Sequence, residues 1–294
     1  MTQTPRPSHQ VPGIHHKKVG DMLVTALNDG MFEGSFAMLE GFDTGSAEAL
    51  HRERFRAVPP RLAVNSFLIQ TDDRTILVDS GCGGVFGPDM GKLAGNLAAL
   101  GIKPGDVDTI LCTHLHPDHI GGIVDGAGKA VFPHAELVVH ADDHRFWGDD
   151  ATLAGATTDD MKGYVALART AIAAYGDRTK LLTAGDALSG ISIVPEPGHT
   201  PGHSGWLIAS GDASLLIWGD IVHMPGVQFA HPEAGMGFDV DANLARSTRR
   251  RIMDMAATDR VTVAGMHLDF PCFGHVAKAS EGYAFVADVW TPTI

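Results

Sequence analysis

From about Gly20 onward the chain alternates short apolar runs with stretches of helical spacing. Residues 21–27 read as a strand and run into a loop rich in Gly and Phe. Residues 64–70 and 75–79 read as two strands joined by a turn over 71–74. The apolar positions of 90–100 recur as on one face of a helix, and Gly101 stops it. Strands are predicted over 109–112 and Glu136–His140, and an amphipathic helix over Asp159–Tyr175. Further strands fall at 191–194, 204–209 and 215–218, with a turn at 210–213, then a helix over 240–257 and a strand over 260–264. Residues 148–160, small and without a period, are expected to form a loop or lid between halves 20–147 and 178–294. The polar, Pro-rich residues 1–19 are expected to be a flexible arm. Residues 20–294 are expected to form a single domain.

Four apolar runs each end in a residue able to bind metal. DTILCT runs into His114, ISIVPEPG into His199, SLLIWG into Asp220 and VTVAGM into His267. Buried strands of α/β proteins deliver functional side chains at their carboxyl ends. If these four ends share one sheet edge, the residues meet. A glycine one or two residues before His199, Asp220 and His267 lets the backbone turn and approach a ligand closely.

The segment THLHPDHIGG packs three imidazoles and a carboxylate between His114 and His119. His114 and His116 are spaced to chelate one ion, while Asp118 and His119 open a helix and can face a second. An HxH pair alone is a weak signal, but HxHxDH followed by three more ligands at strand ends is a strong one. Divalent zinc takes nitrogen and oxygen ligands in sets of about four. One set is His114, His116 and His199; the other is Asp118, His119 and His267; Asp220 can bridge them. Water held between two such ions has a pKa near 7, and the resulting bridging hydroxide is a nucleophile at neutral pH. Asp118 can orient it and carry its proton, so Asp118 and Asp220 are the catalytic candidates. Zinc is the expected ion; Mn, Co and Fe suit the same ligands.

Composition narrows the partners. With 44% hydrophobic and 19% charged residues, the 294-residue chain can bury a core. A net charge of −13 disfavours nucleic acid and anionic membranes as partners. The one basic run, over 249–251, reads as a solvated helix face or a set of ion-pair partners. Cys82, Cys112 and Cys272 form no CxxC and leave one thiol over, which points to free thiols rather than a disulfide framework. No apolar leader and no span of roughly 18 apolar residues is present, so the expected location is the cytoplasm.

The ordered set THLHPDHIGG, PGHTPGHS, WGD and GMH resembles the metallo-β-lactamase superfamily over almost the whole chain after about residue 20. The resemblance implies an α/β fold, a four-layer αββα sandwich with its metals at the edge between two sheets. It also implies a metal-ligand role for His114, His116, Asp118, His119, His199, Asp220 and His267. LVDSGCGGVFGPDMGKLAGNLAALGI, the FW of 146–147, GDI followed by VQF, and HLDFPCFGH are similar to methyl parathion hydrolase and its lactone- and arylester-cleaving relatives. That likeness implies an aromatic pocket, in which Phe86 and Trp147 match two members and Tyr164 or Val165 falls at a third. His223 stands where methyl parathion hydrolase has an apolar residue, which turns the expected native substrate from phosphotriesters to a lactone or aryl ester. Members are commonly dimers, so a homodimer acting on a small, neutral, fairly apolar ester is expected.

Other residues weigh less. His223, three residues after Asp220, can face the pocket and bind a carbonyl or protonate a leaving group, or face solvent. Phe270 and Phe273 follow His267 closely and are candidate pocket residues. His203 suits a hydrogen bonder that fixes a loop, and His275 can touch substrate, a partner subunit or neither. A β-lactam hydrolase is the nearest alternative, although such enzymes generally place Cys or Ser at the position of Asp220. An iron-dependent sulfur dioxygenase is another. A nuclease is disfavoured by the missing basic surface.

Overall fold

The computed structural model describes Arg6 and residues 10–294. The first half of the chain contributes β1 (Ile14–Val19), β2 (Met22–Glu33), β3 (Leu39–Glu40), β4 (Arg61–Gln70), β5 (Thr75–Val78), β6 (Thr109–Leu111), β7 (Glu136–His140) and β8 (Thr179–Leu182). The second half contributes β9 (Gly185–Leu188), β10 (Ile191–Pro195), β11 (Ser204–Ser210), β12 (Ala213–Ile217), β13 (Gly235–Met236), β14 (Thr262–Ala264), β15 (Phe273–Lys278) and β16 (Tyr283–Ala287). Between them lie the helices α1 (Thr44–Glu53), α2 (Leu93–Ala99), α3 (Pro117–Ile120), α4 (Ala141–Gly148), α5 (Asp150–Gly155), α6 (Asp159–Tyr175), α7 (Pro225–Gln228) and α8 (Ala242–Asp259). No helix among the described residues is long and apolar enough to cross a membrane.

Two seven-stranded sheets face one another, in the orders β1-β2-β4-β5-β6-β7-β8 and β16-β15-β14-β12-β11-β10-β9. The alternation of strand side chains decides which layer each residue joins. In the first sheet Phe67, Ile69, Ile76, Val78, Leu111 and Val138 point toward the second sheet and join Trp206, Ile208, Ile217 and Trp218 in the central core. Their neighbours Leu68, Leu77, Ile110, Leu137 and Val139 point the other way, to Leu93 and Leu97 of α2 and Val165 and Ala168 of α6. Strands covered on both faces read as largely apolar runs, as β4 does apart from the buried Asn65 and Ser66. On the far side, Ile252, Met253 and Ala256 of α8 close the second sheet. The result is the four-layer αββα order expected from the sequence.

Three expectations change. The arm expected over 1–19 gives way at Ile14 to β1, which pairs antiparallel with β2; residues 1–5 and 7–9 lie outside the described residues. The loop expected over 148–160 contains α5 and the first two residues of α6, because the side chains of Asp149 and Thr158 accept from the amides of Ala151 and Met161 and cap the two helices. The basic run is not a solvated face throughout. On α8, Ala245, Thr248, Arg249, Ile252, Met253 and Ala256 form one buried stripe, so Arg249 is 2% exposed while Arg250 and Arg251 face outward.

Candidate metal centre

β6, β10, β12 and β14 run out into His114, His199, Asp220 and His267, and the turn opening α3 adds His116, Asp118 and His119. Pro117 takes the first helical position, where its missing N–H is not needed. Gly219 (φ 52°) and Gly198 (φ 128°) make close approaches in the left-handed region. A Cβ at Gly219 would strike His203 Nε2, and one at Gly198 would strike the backbone of Ala245.

The ligand atoms gather in overlapping groups whose members lie within 4.8 Å of one another: His114, His116, His199 and Asp220; Asp118, His119 and His267; and Asp220, His223 and His267. His116 Nδ1 lies 2.8 Å from His114 Nε2 and 3.0 Å from His199 Nε2. Asp220 Oδ1 lies 3.2 Å from His119 Nε2, and Asp220 Oδ2 lies 3.2 Å from His267 Nε2 and 3.3 Å from His199 Nε2. Asp118 Oδ2 stands 3.4 Å from His267 Nε2 and 3.6 Å from His119 Nε2. All seven expected ligands are thus brought together.

The far nitrogens fix which side of each ring is free. His119 Nδ1 donates to Asp79 at 2.6 Å, His199 Nδ1 to Asp239 at 2.8 Å, and His267 Nδ1 to the Ala63 carbonyl at 2.7 Å. The Thr113 hydroxyl gives its proton to Asp79 and therefore accepts from His114 Nδ1 at 3.1 Å. Each of these Nε2 atoms consequently faces the centre, with an Asp220 oxygen 3.2–3.7 Å away. The buried His119 Nε2 and Asp220 Oδ1 have no hydrogen-bond partner, which is costly unless a cation lies between such groups. The donor set therefore fits divalent cations.

Electrostatics agree. Burial drives His114 and His116 well below the ordinary imidazole range, and neighbouring imidazoles add to the shift. Burial also opposes the charged forms of Asp118 and Asp220, yet the facing imidazoles, His119 foremost, hold both carboxyls below their usual range. Burial lowers His199, but Asp220 and Asp239 outweigh it and raise that ring to about 9. Protons on His119 and His199 thus stand in for the positive charge that metal would bring, and binding metal would release them. His203 holds the frame: its Nε2 accepts from the Asp220 amide at 2.9 Å, and its Nδ1 donates to the Glu196 carbonyl at 2.8 Å.

A cavity of about 150 Å³ opens directly on the cluster, with Phe32, Met38, Leu62, Phe86, Tyr164 and Phe238 as its walls and Asp118, Asp220, His116, His223 and His267 at its base. Phe86, Tyr164 and His223 therefore stand where a substrate contact was expected. Three other candidates do not. Trp147 is fully buried in the core behind the site and meets the His116 ring edge-on at 5.4 Å. Phe273 is turned by the alternation of β15 into the core, 5.8 Å from the Phe67 ring. Phe270 lines a separate groove beside Gln10 and Arg61. His275 sits on β15, half-exposed near Asp288. Phe32, Met38, Leu62 and Phe238 were missed, because they come from segments without a motif and meet only in the fold.

The Metallo-beta-lactamase superfamily model matches residues 59–288. The structure of "hydrolase AbOPH in beta lactamase superfamily" is 33% identical, covers 96% of this chain and all of that one, and superposes with a TM-score of 0.90. AidC, described as a dizinc quorum-quenching lactonase and solved with its product, is 26% identical over 95% of this chain and 99% of its own, with a TM-score of 0.89. The uncharacterized protein YobT of Bacillus subtilis is 27% identical over 172 residues, and the match spans 66% of YobT and 57% of this chain.

Proposed function

The chain belongs to the metallo-beta-lactamase superfamily, and from that premise we propose that it is a dinuclear metal hydrolase that opens an ester-like bond. The substrate is a small, neutral, apolar lactone or aryl ester, with phosphotriester hydrolysis as a side activity. The observation that carries this reading is the aromatic cavity set directly on the His/Asp cluster. A charged or bulky polar substrate would lose its hydration against Phe32, Phe86 and Phe238 without gaining partners. The likeness to AidC, a lactonase by description, supports the same class.

His114, His116 and His199 would hold one ion and Asp118, His119 and His267 the other, with Asp220 shared; zinc suits this set. Two such ions lower the pKa of water toward neutrality and polarise a carbonyl. Asp118 lies at the base of the cavity with its side chain 16% exposed, placed to take a proton from attacking water and return it to the leaving oxygen. His223 keeps Asp220 Oδ2 at 3.0 Å and stacks on His267 with 5.0 Å between rings. Burial holds it down to about 4 despite Asp220, so it meets substrate as a neutral imidazole at pH 7. The aromatic walls seat the acyl or aryl group and exclude bulk water.

The zinc-loaded protein should be assayed with N-hexanoyl homoserine lactone, dihydrocoumarin, methyl paraoxon and nitrocefin. We expect kcat/KM for the lactone or aryl ester to exceed that for paraoxon and nitrocefin by about 10²-fold. Failure on both favoured classes, or fastest turnover of nitrocefin, would overturn the proposal.

A further inference from the structure

β2 carries an irregularity that places a carboxylate under the loop bearing Phe86. The pairing of β2 with β4 shifts register between Asn28 and Gly30, so Asp29 is the extra residue of a bulge. A bulge re-aims one side chain out of the ladder. Here it sends the fully buried Asp29 carboxylate to both ends of loop 82–91. Asp29 Oδ2 accepts from the Cys82 amide at 2.8 Å and the Gly91 amide at 3.1 Å, while Oδ1 accepts from the Leu93 amide at 2.8 Å. The Asp29 carbonyl accepts from the Lys92 amide at 3.0 Å.

Between those two anchors residues 83–89 are thinly supported, with Met90 packed on Val64 and Cys82 beside the Gly91 end. It is flanked by a cavity of about 630 Å³ reaching Gly83 and Gly84. A groove of about 1290 Å³ reaches Asp89 and Gly91 on another side. A Cβ at Gly84 or Gly87 would meet nothing within 4 Å. At its tip Phe86, 38% exposed, stacks on Phe32 with 6.0 Å between rings and 23° between planes. Phe32 lies on the same strand as Asp29. One short stretch of β2 therefore supplies both Phe32 and the anchor for the loop that lays Phe86 on it.

We propose that Asp29 is a specificity-determining positioning residue: by holding both ends of loop 82–91 it sets where Phe86 stands over the metal pocket, and so which apolar substituent the pocket accepts. The assignment rests on the hydrolase reading above for its substrate class, and on the loop geometry alone for the clamp. Asp29 touches no substrate. Its replacement by Asn keeps the size but turns one oxygen into an N–H₂ and the other into an uncharged acceptor, so the amides of Cys82, Gly91 and Leu93 cannot all keep an acceptor and those that do are held less tightly.

The test compares the zinc-loaded full chain, Asp29→Asn and Phe86→Ala on 4-nitrophenyl acetate and 4-nitrophenyl octanoate. Metal content and amide hydrogen exchange are measured on each. Asp29→Asn should lower the octanoate-to-acetate ratio of kcat/KM about tenfold, mainly through the octanoate KM, as Phe86→Ala does. Its metal content should match the wild type, and exchange should quicken at Cys82, Gly91 and Leu93. A ratio within about twofold of wild type in Asp29→Asn, while Phe86→Ala shifts it, overturns the proposal. So does equal loss on both esters without faster exchange. If neither ester is turned over by any form, the hydrolase reading fails, while exchange still judges the clamp. If Asp29→Asn does not fold, the wild type decides: slow exchange at those three amides supports the clamp, and unprotected amides refute it.

Discussion

Asp220→Ala is expected to lose at least about 10²-fold in kcat/KM and to bind less metal than the wild type, because one side chain serves both groups of ligands. Its Oδ1 faces His119, and its Oδ2 lies 3.0 Å from His223, 3.2 Å from His267, 3.3 Å from His199 and 3.7 Å from His114. No other carboxylate in the centre approaches so many imidazoles. Removing it takes away the one carboxylate that all five buried rings share, leaving Asp79 behind His119, Asp239 behind His199 and Asp118 beside His119 and His267, so either the rings lose protons or the pocket admits water. Asp220→Asn keeps the volume and one acceptor oxygen but not the charge, and should fall between. Elemental analysis beside steady-state kinetics reads both effects. An alanine variant with near-normal turnover would show that Asp220 is not shared between the ions.

The largest expected loss of stability lies at a residue that touches no substrate. The buried guanidinium of Arg249 donates from Nε to the Ile221 carbonyl at 2.7 Å and from one terminal nitrogen to the carbonyls of Pro232 and Ala234 at 3.2 and 3.0 Å. Ile221 directly follows Asp220, so Arg249 ties the metal loop to α8 and to the segment ahead of β13. Arg249→Ala would strand the buried carbonyls of Ile221 and Pro232, leave Ala234 with Gln228 alone, and open a cavity, and should cost about 3–5 kcal/mol in denaturant unfolding of the metal-loaded protein. Arg249→Met refills the volume but not the hydrogen bonds and should cost less. A loss below about 1 kcal/mol for alanine would mean that water replaces the guanidinium at no penalty.

The strands that carry ligands were legible because each is a mostly apolar run that the chemistry interrupts abruptly. The helix Asp159–Tyr175 was legible to the residue, with Thr158 capping it and Gly176 at its end. β8, β9 and β16 were not, since they are short, lie at or near sheet edges, and bury too few side chains to show a period. α1 hid behind a polar composition, though the Asp43 side chain accepting from the Ser46 amide marks its start. Within the site, ligands could be read because metal dictates residue types. Pocket walls could not, because any large apolar side chain can form them. Phe273 and Trp147 lie near motifs in sequence, yet β15 and α4 turn both toward the interior. Asp29 carries no motif at all; only the bulge that re-aims it gives it a role.

The centre itself is tested most directly by titrating the metal-stripped protein with zinc while following ester hydrolysis and bound metal together. Activity should be absent without metal and should rise to a plateau at two zinc ions per chain. Hydrolysis that proceeds at the same rate in the stripped protein, or a plateau reached with no stoichiometric zinc bound, would contradict a centre in which seven converging side chains exist to hold two cations.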